Sequence, residues 1–465
     1  MFVKKQDIGI ILFFVLFAGF FAFVSVSSSV FFLDGDTANI GNWAMRDLYA
    51  ADFKNDPIIA HDNVYYLKPH MFIIESFMVL TGSYVHALKL LMFLQISLTL
   101  ITTYYMIRAF FRNISSFTAA LSAFFIAVVY IKAPIFECNG FIDLRNVTAR
   151  ATFSIFIPLI LLYYFKGKDI QFPKFKVPRI FVIAFAGAIL AQFHPQTGIT
   201  VIATLFVHWL LTRRRVMTRK KMLLAVAGLI PFAIGIYFFL DSYSRTNFGK
   251  GALAYTIEKV VELFTSDQQF SARFFDLNSF WLLQFTFLPY VFTAAILLFF
   301  IRSLPEDEDD RKLFVFLRGL FFIALALHIV LGFAGYNFMT LGAMGIDSIF
   351  MRSTKFVLLL TELLALFYVL KGRCFVKSRT LYYLSSAAVI FCLFTMSGSR
   401  LDLQHETLAR IFSYVPVIDE TNDVKYNVIF KLPLIALLLF ILMMTAFKWK
   451  NEFWKKVLEI GRAHV

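Results

Sequence analysis

Long apolar runs recur along the whole chain, and the short stretches between them carry clustered lysine and arginine. No other feature limits the fold so strongly. A run of about 20 apolar residues is enough for a helix to span a bilayer, and a soluble fold of this length could not hide so much apolar surface. The runs at 8–32, 85–107, 114–131, 151–165, 180–193, 199–211, 222–240, 281–301, 313–333, 356–370, 381–396 and 429–447 read as spans, about twelve in all. The run at 71–80 is too short to cross and reads as interfacial or re-entrant. The expected fold is therefore all-α, a polytopic transmembrane helix bundle.

The loops orient this bundle. Lys4 and Lys5 precede the first span, Arg108 and Arg112 follow the second, and Lys166, Lys168, Lys174, Lys176 and Arg179 fall in the next alternate loop. Arg213, Arg214, Arg215, Arg219, Lys220 and Lys221 come next, then Arg302, Arg311 and Lys312, then Lys371, Arg373, Lys377 and Arg379. Positive loops stay inside, so the N-terminus is expected inside and the first helix retained rather than cleaved. Segments 34–82, 241–279 and 397–427 then face outward. The net charge of +15 would suggest nucleic acid in a soluble protein; here it is orientation signalling, and no nucleic-acid partner is expected. The expected partner is the lipid bilayer, and the expected location is a cell inner membrane.

Composition agrees: 59% of residues are hydrophobic and 16% charged, against about a quarter charged in soluble domains. Cys138, Cys374 and Cys392 have no metal-site or disulfide spacing. Residues 1–458 read as one integral-membrane domain. Residues 459–465 match the translation of a common sequencing adapter and are expected to be foreign.

The chemistry concentrates in the first outer loop. Asp34-Gly35-Asp36 follows the first span directly, and 37–53 reads as an amphipathic surface helix with Thr37 as a cap. Asp34, Asp36, Asp47, Asp52, Asp56 and Asp62 crowd this stretch, which ends at Tyr65-Tyr66-Leu67-Lys68-Pro69-His70. Carboxylates so placed suit a general base on a hydroxyl, sugar recognition, or a divalent cation bound through oxygen. Mg or Mn, held by Asp34 and Asp36, is the cofactor that follows from the last of these. Against this stands the ordinary acidity of a solvated loop, and Asp307 and Asp309 repeat the Asp-x-Asp spacing on the side expected to be inside.

This arrangement resembles the GT-C superfamily of membrane glycosyltransferases, whose hallmark is a modified Asp-x-Asp early in the first outer loop, followed by amphipathic helices and a Tyr/Pro stretch. The resemblance covers residues 1–112. It implies a polyprenyl-phosphate-linked sugar as donor, an acceptor hydroxyl at the outer face, and catalytic roles for Asp34 and Asp36. The family often has Asp-Glu where this chain has Gly35-Asp36. The chain also resembles bacterial multi-pass proteins that share an outer His-Pro-x-x-Gly turn.

Further positions fit a phosphorylated sugar donor. His194-Pro195-Gln196-Thr197-Gly198 turns a helix hairpin at the outer interface, where Pro and Gly serve the turn; His194 and Gln196 are not needed for it and are placed to contact a phosphate or sugar, the alternative being incidental interfacial polarity. Arg145 and Arg150 lie in or beside the second outer loop, and Arg352 and Lys355 stand at the outer mouth of a later helix. Arginine suits phosphate oxygens through its bidentate fork, while lipid phosphates or the loop carboxylates are alternative partners. Asp56, Asp62, Lys68 and His70 complete the expected substrate-binding set. Glu362, deep in a span, is expected to pair with Arg318 at similar depth. A transporter or flippase would instead use Glu362 for ion coupling, with Arg318 and His328 as the other polar groups within spans. A polysaccharide polymerase or ligase is a further alternative.

Overall fold

A computed structural model describes residues 5–25, 35–55, 68–128, 147, 149–171, 176–213, 226–244, 305–340, 346–372 and 379–396. These residues are mostly helical. The expected spans at 281–301 and 429–447, and the outer segments at 245–279 and 397–427, lie outside them, while 241–244, expected as loop, continue a helix.

Helix α1 (Lys5–Gly19) continues through a π-helical turn, Phe20–Ser25. After it come α2 (Gly35–Leu48), α3 (Lys68–Thr81), α4 (Tyr84–Phe110) and α5 (Ser116–Val128). Next are α6 (Ala149–Ser154) and α7 (Ile157–Lys166), then a two-residue hairpin pairing Ile170 with Val177 and Gln171 with Lys176. The chain continues with α8 (Arg179–Leu190), α9 (Pro195–Arg213) and α10 (Ile230–Ser244). Last come α11 (Glu308–Thr340), α12 (Ile346–Lys371) and α13 (Arg379–Met396). Among the described residues, helices spanning Tyr84–Phe110, Ala149–Lys166 and Glu308–Val330 are long and apolar enough to cross a membrane.

Local chemistry sets the helix ends. Gly82 has φ +66°, a left-handed conformation that costs glycine little, and closes α3 through its N–H to Met78 O at 2.8 Å. Ser83 then caps α4, accepting the His86 N–H on its side chain. The result is an α3–α4 antiparallel hairpin. α3 is about 21 Å long and α4 about 40 Å at 1.5 Å per residue, so α3 reaches only halfway down its partner, as the short apolar run suggested. Pro158 stands in the first turn of α7, where the missing N–H costs nothing. It marks the break with α6, and both sides of that break are buried.

Close helix contacts rest on small residues. A Cβ at Gly235 of α10 would come within 2.7 Å of Ala188 O and 2.9 Å of its Cα in α8. Gln192 Nε2 donates to Gly235 O at 2.6 Å beside this crossing. α11 and α12 pack antiparallel, with Phe314 and Phe367 rings 5.4 Å apart and Lys371 Nζ 2.9 Å from Asp310. The core centres on Tyr104, Tyr368, Phe14, Phe111, Phe153 and Phe321, all fully buried.

The outside of the bundle is apolar too. Along α1 and into the π-helical turn the exposed side chains include Ile8, Leu12, Leu16 and Phe20, at a spacing of four. Val79 and Leu80 of α3 and Phe117 of α5 are about three-quarters exposed. Apolar stripes of this extent suit lipid rather than water.

Three boundaries differ from the sequence expectation. α2 begins at Gly35, so Thr37 lies inside its first turn instead of capping it, and the helix stops at Leu48 rather than Phe53. Tyr49 N–H to Met45 O and Asp52 N–H to Tyr49 O carry the chain into turns. α11 runs from Glu308, which takes Asp309, Arg311 and Lys312 out of a loop and into its first turns. α12 starts at Ile346, so Arg352 and Lys355 lie within the helix and not at its mouth.

Candidate functional site

Two polar assemblies stand out within the described bundle. The first lies where α3 begins, halfway along α4. Gln95 Nε2 donates to Thr152 Oγ1 at 2.8 Å. The Thr152 hydroxyl stands 3.4 Å from His70 Nδ1, and His70 Nε2 stands 3.3 Å from Val147 O. A carbonyl only accepts, so Nε2 carries the proton and Nδ1 accepts from the threonine. The hydrogen bonds then run in one direction from Gln95 through Thr152 and His70 to Val147, and all three side chains are buried. Arg150, also buried, sits two residues before Thr152 on α6.

The α8–α9 turn adjoins this assembly. His194 Nδ1 lies 2.8 Å from Thr197 Oγ1 and 3.3 Å from Thr197 N, so the imidazole caps the first turn of α9. At Gly198 the α9 backbone passes against α6, where a Cβ would lie 3.6 Å from the Phe153 ring. His70, Arg150 and His194, three of the expected binding residues, therefore lie on neighbouring elements. His194 has a structural use as a cap, which the turn sequence alone did not require.

α2 packs beside the α3–α4 turn, its Gly41 against the Tyr84 ring. Ala44 is fully buried, and Trp43 and Leu48 pack on the core. Arg46 and Asp47 pair on the helix surface at 3.0 Å. Asp36 stands in the first turn of α2, Lys68 opens α3 and Gln196 lies in the first turn of α9. Asp34, Asp56, Asp62 and Arg145 lie outside the described residues. Among the described residues no three His, Cys, Asp or Glu side chains gather as metal ligands.

The second assembly is a cavity of about 570 Å³ at the opposite end of the bundle. Its cations come from four places: Arg112 after α4, Lys166 at the end of α7, Arg179 at the start of α8, and Lys312 in α11. Asp309 is the carboxylate among the lining residues, and it pairs with Arg112. Arg179 is held in place by Phe165 O at 3.2 Å and Gly167 O at 2.9 Å, with its guanidinium 5.5 Å from the Tyr164 ring centre. Lys166 Nζ donates to Ala109 O. Tyr164 and His208 share a hydrogen bond of 2.8 Å in the lining. Phe165 and Phe316 form an aromatic wall, their centroids 4.6 Å apart.

The ends that carry the basic loops thus converge. Asp7 of α1 joins this end as well: Tyr104 donates to its carboxylate at 2.6 Å, and Ser116 Oγ lies 3.4 Å away while receiving Arg108 at 2.7 Å.

The expected Arg318–Glu362 ion pair does not form. Arg318 lies over the Phe314 ring, 5.3 Å from its centre. Glu362 is buried, and among the described residues no hydrogen bond or ion pair reaches its carboxyl. The two residues lie at similar depth, yet no ion pair joins them. Sequence reasoning missed Gln95, Thr152, Tyr164, His208 and Asp7. The available signal was polarity inside or beside apolar runs, where a polar group needs a partner.

No protein-family model matches the chain, and no curated protein or solved structure matches it either.

Proposed function

We propose that this protein is a multi-pass membrane glycosyltransferase. It moves a sugar from a polyprenyl-phosphate-linked donor to an acceptor hydroxyl at the outer face of the membrane. In this reading the chain has about twelve spans, its N-terminus and basic end lie inside, and the 34–82 loop lies outside. Asp34 or Asp36 acts as general base on the acceptor, drawing off its proton as the hydroxyl oxygen attacks the sugar. The polyprenyl phosphate leaves, and cationic groups such as Arg150 and the helix-borne Arg352 and Lys355 stabilise its charge. A divalent cation at the aspartates would serve the same end.

One observation carries the proposal. The segment that follows the carboxylate-rich loop enters the bundle at Lys68, and there it meets buried polar groups, His70, Thr152 and Gln95, with Arg150 on the same short helix. The acidic loop thus leads directly into this buried polar cluster. The test is donor consumption. Purified full chain in lipid nanodiscs is given labelled polyprenyl-phosphate sugars and membrane acceptors. Transfer supports the proposal, and an inert protein with the complete donor set overturns it.

A second reading, a transporter or flippase, draws on the buried Glu362, which no described partner neutralises. Substrate-driven proton uptake by proteoliposomes, abolished in Glu362→Gln, would favour it over the first.

A further inference from the structure

We infer that the basic cavity between α4, α7, α8, α9 and α11 binds a phosphoryl group. This goes beyond the proposed transfer site, which lies at the other end of the bundle.

Positive charge at helix ends is ordinary orientation signalling, and such lysines and arginines normally spread into solvent. Here four of them, from four separate places in the chain, line one concave space in which Asp309 is the lining carboxylate, with Glu308 2.6 Å from Lys312 beside it. The volume of about 570 Å³ falls in the range of small-molecule sites. Arg179 is preorganised: two backbone carbonyls and the Tyr164 ring hold its guanidinium in position before any ligand arrives. Arg112 and Lys312 are each 62% exposed in their side chains, at the solvent side of the cavity, and can swing onto an incoming anion. Asp309 is the group such an anion would displace from Arg112.

The rest of the lining selects the kind of anion. Phe110 meets both Phe165 and Phe316 edge to face, those two rings lie tilted by 32° to each other, and Trp209 joins them in the apolar wall. Thr212 and the hydrogen-bonded Tyr164–His208 pair add polar atoms. A phosphate with an apolar body attached would use both halves, the oxygens against the cations and the body against the rings. Basic pockets between membrane helices recognise lipid headgroups on these terms. A lipid headgroup and free phosphate share this chemistry, and the experiment separates them.

Purified full chain in a zwitterionic detergent is titrated with dihexanoyl phosphatidic acid, dihexanoyl phosphatidylcholine or inorganic phosphate. The unfolding midpoint and the binding isotherm are read for each. The phosphatidic acid is expected to raise the midpoint saturably, and phosphatidylcholine to do so far less. If inorganic phosphate matches the phosphatidic acid, the site takes the phosphoryl group alone; if it does not, the ligand is a lipid headgroup. Either result supports the inference.

The variants Arg112→Gln and Lys312→Gln remove exposed cations and should each weaken binding about tenfold. Arg379→Gln, which removes an exposed cation at the same end but outside the cavity, should leave it unchanged. Equal response to phosphatidic acid and phosphatidylcholine in the wild type would overturn the inference. So would unaltered binding in both cavity variants, or an equal loss in Arg379→Gln, which would mean attraction to general surface charge.

Discussion

Gln95 and Thr152 are 57 residues apart in the chain, yet the Gln95 amide donates to the Thr152 hydroxyl at 2.8 Å inside the bundle. That hydroxyl in turn faces His70, so one oxygen holds three elements together. Thr152→Val keeps the shape but removes the acceptor of the Gln95 amide and the donor to His70 Nδ1. The expected cost is about 1–2 kcal/mol, seen as a lower unfolding midpoint in detergent. Thr152→Ser should recover most of it. A Thr152→Val protein as stable as wild type would mean that the relay contributes nothing to the fold.

Tyr104 and Asp7 tie the start of the chain to the far half of α4 at 2.6 Å. A hydrogen bond between buried side chains contributes about 0.5–1.5 kcal/mol. Tyr104→Phe should therefore lower stability by about that amount, and protection of the α1 amides in hydrogen exchange should fall with it. Unchanged protection would place the anchoring of α1 elsewhere, in its packing against α4.

Gly235 meets the Ala188 backbone too closely to accept a side chain. Backbone does not yield as a flexible side chain does, so Gly235→Ala should separate α8 from α10 and cost about 1–3 kcal/mol. The same change at Gly9, where a Cβ meets nothing within 4 Å, should be neutral or slightly stabilising. Comparable effects of the two substitutions would contradict the close crossing.

Two lysines separate a shielded ion pair from a solvated one. Lys371 is 21% exposed and Asp310 12%, whereas Lys312 and Glu308 are 62% and 77% exposed. Lys312→Ala should leave stability essentially unchanged, because its ion pair is fully solvated. Lys371→Ala leaves the largely buried Asp310 without that cation, and should cost about 1–3 kcal/mol. The order of the two effects on the unfolding midpoint is the check.

The apolar core of the helices was readable because hydropathy marks it directly. The run at 85–107 lies within Tyr84–Phe110, extended at one end by the Ser83 cap and at the other to the edge of the Arg108 cluster. Helix extension beyond the apolar core was not readable. Asp347, Ser348, Arg352 and Lys355 look like loop by polarity, but α12 continues through them, because a helix satisfies its own backbone wherever it runs. The Arg318–Glu362 expectation shows the other limit. Asp310–Lys371 and Phe314–Phe367 fix an antiparallel register that brings Glu362 level with Gly319, so the depth was right. Depth alone does not choose the partner, and Arg318 turns back over the Phe314 ring instead. The candidate site was legible only as types of residue. His70 and Arg150 were chosen for their charge and place, but their neighbour Thr152 and its link to Gln95 come from packing between distant segments, which no local spacing encodes. The basic cavity escaped for the same reason: its cations were read loop by loop, and only the bundle brings them to one space.

The central claim is that the carboxylates after the first helix perform glycosyl transfer. Its most direct measurement is donor consumption in nanodiscs by wild type, Asp34→Asn and Asp36→Asn, with unfolding midpoints recorded to show that each variant is folded. Asparagine keeps the size of the side chain and removes its basicity. The account predicts transfer by the wild type and a loss of at least about a hundredfold in one of the two variants, with unfolding midpoints unchanged. Equal consumption by all three proteins would contradict the carboxylate mechanism, and no consumption by any of them would contradict the assignment itself.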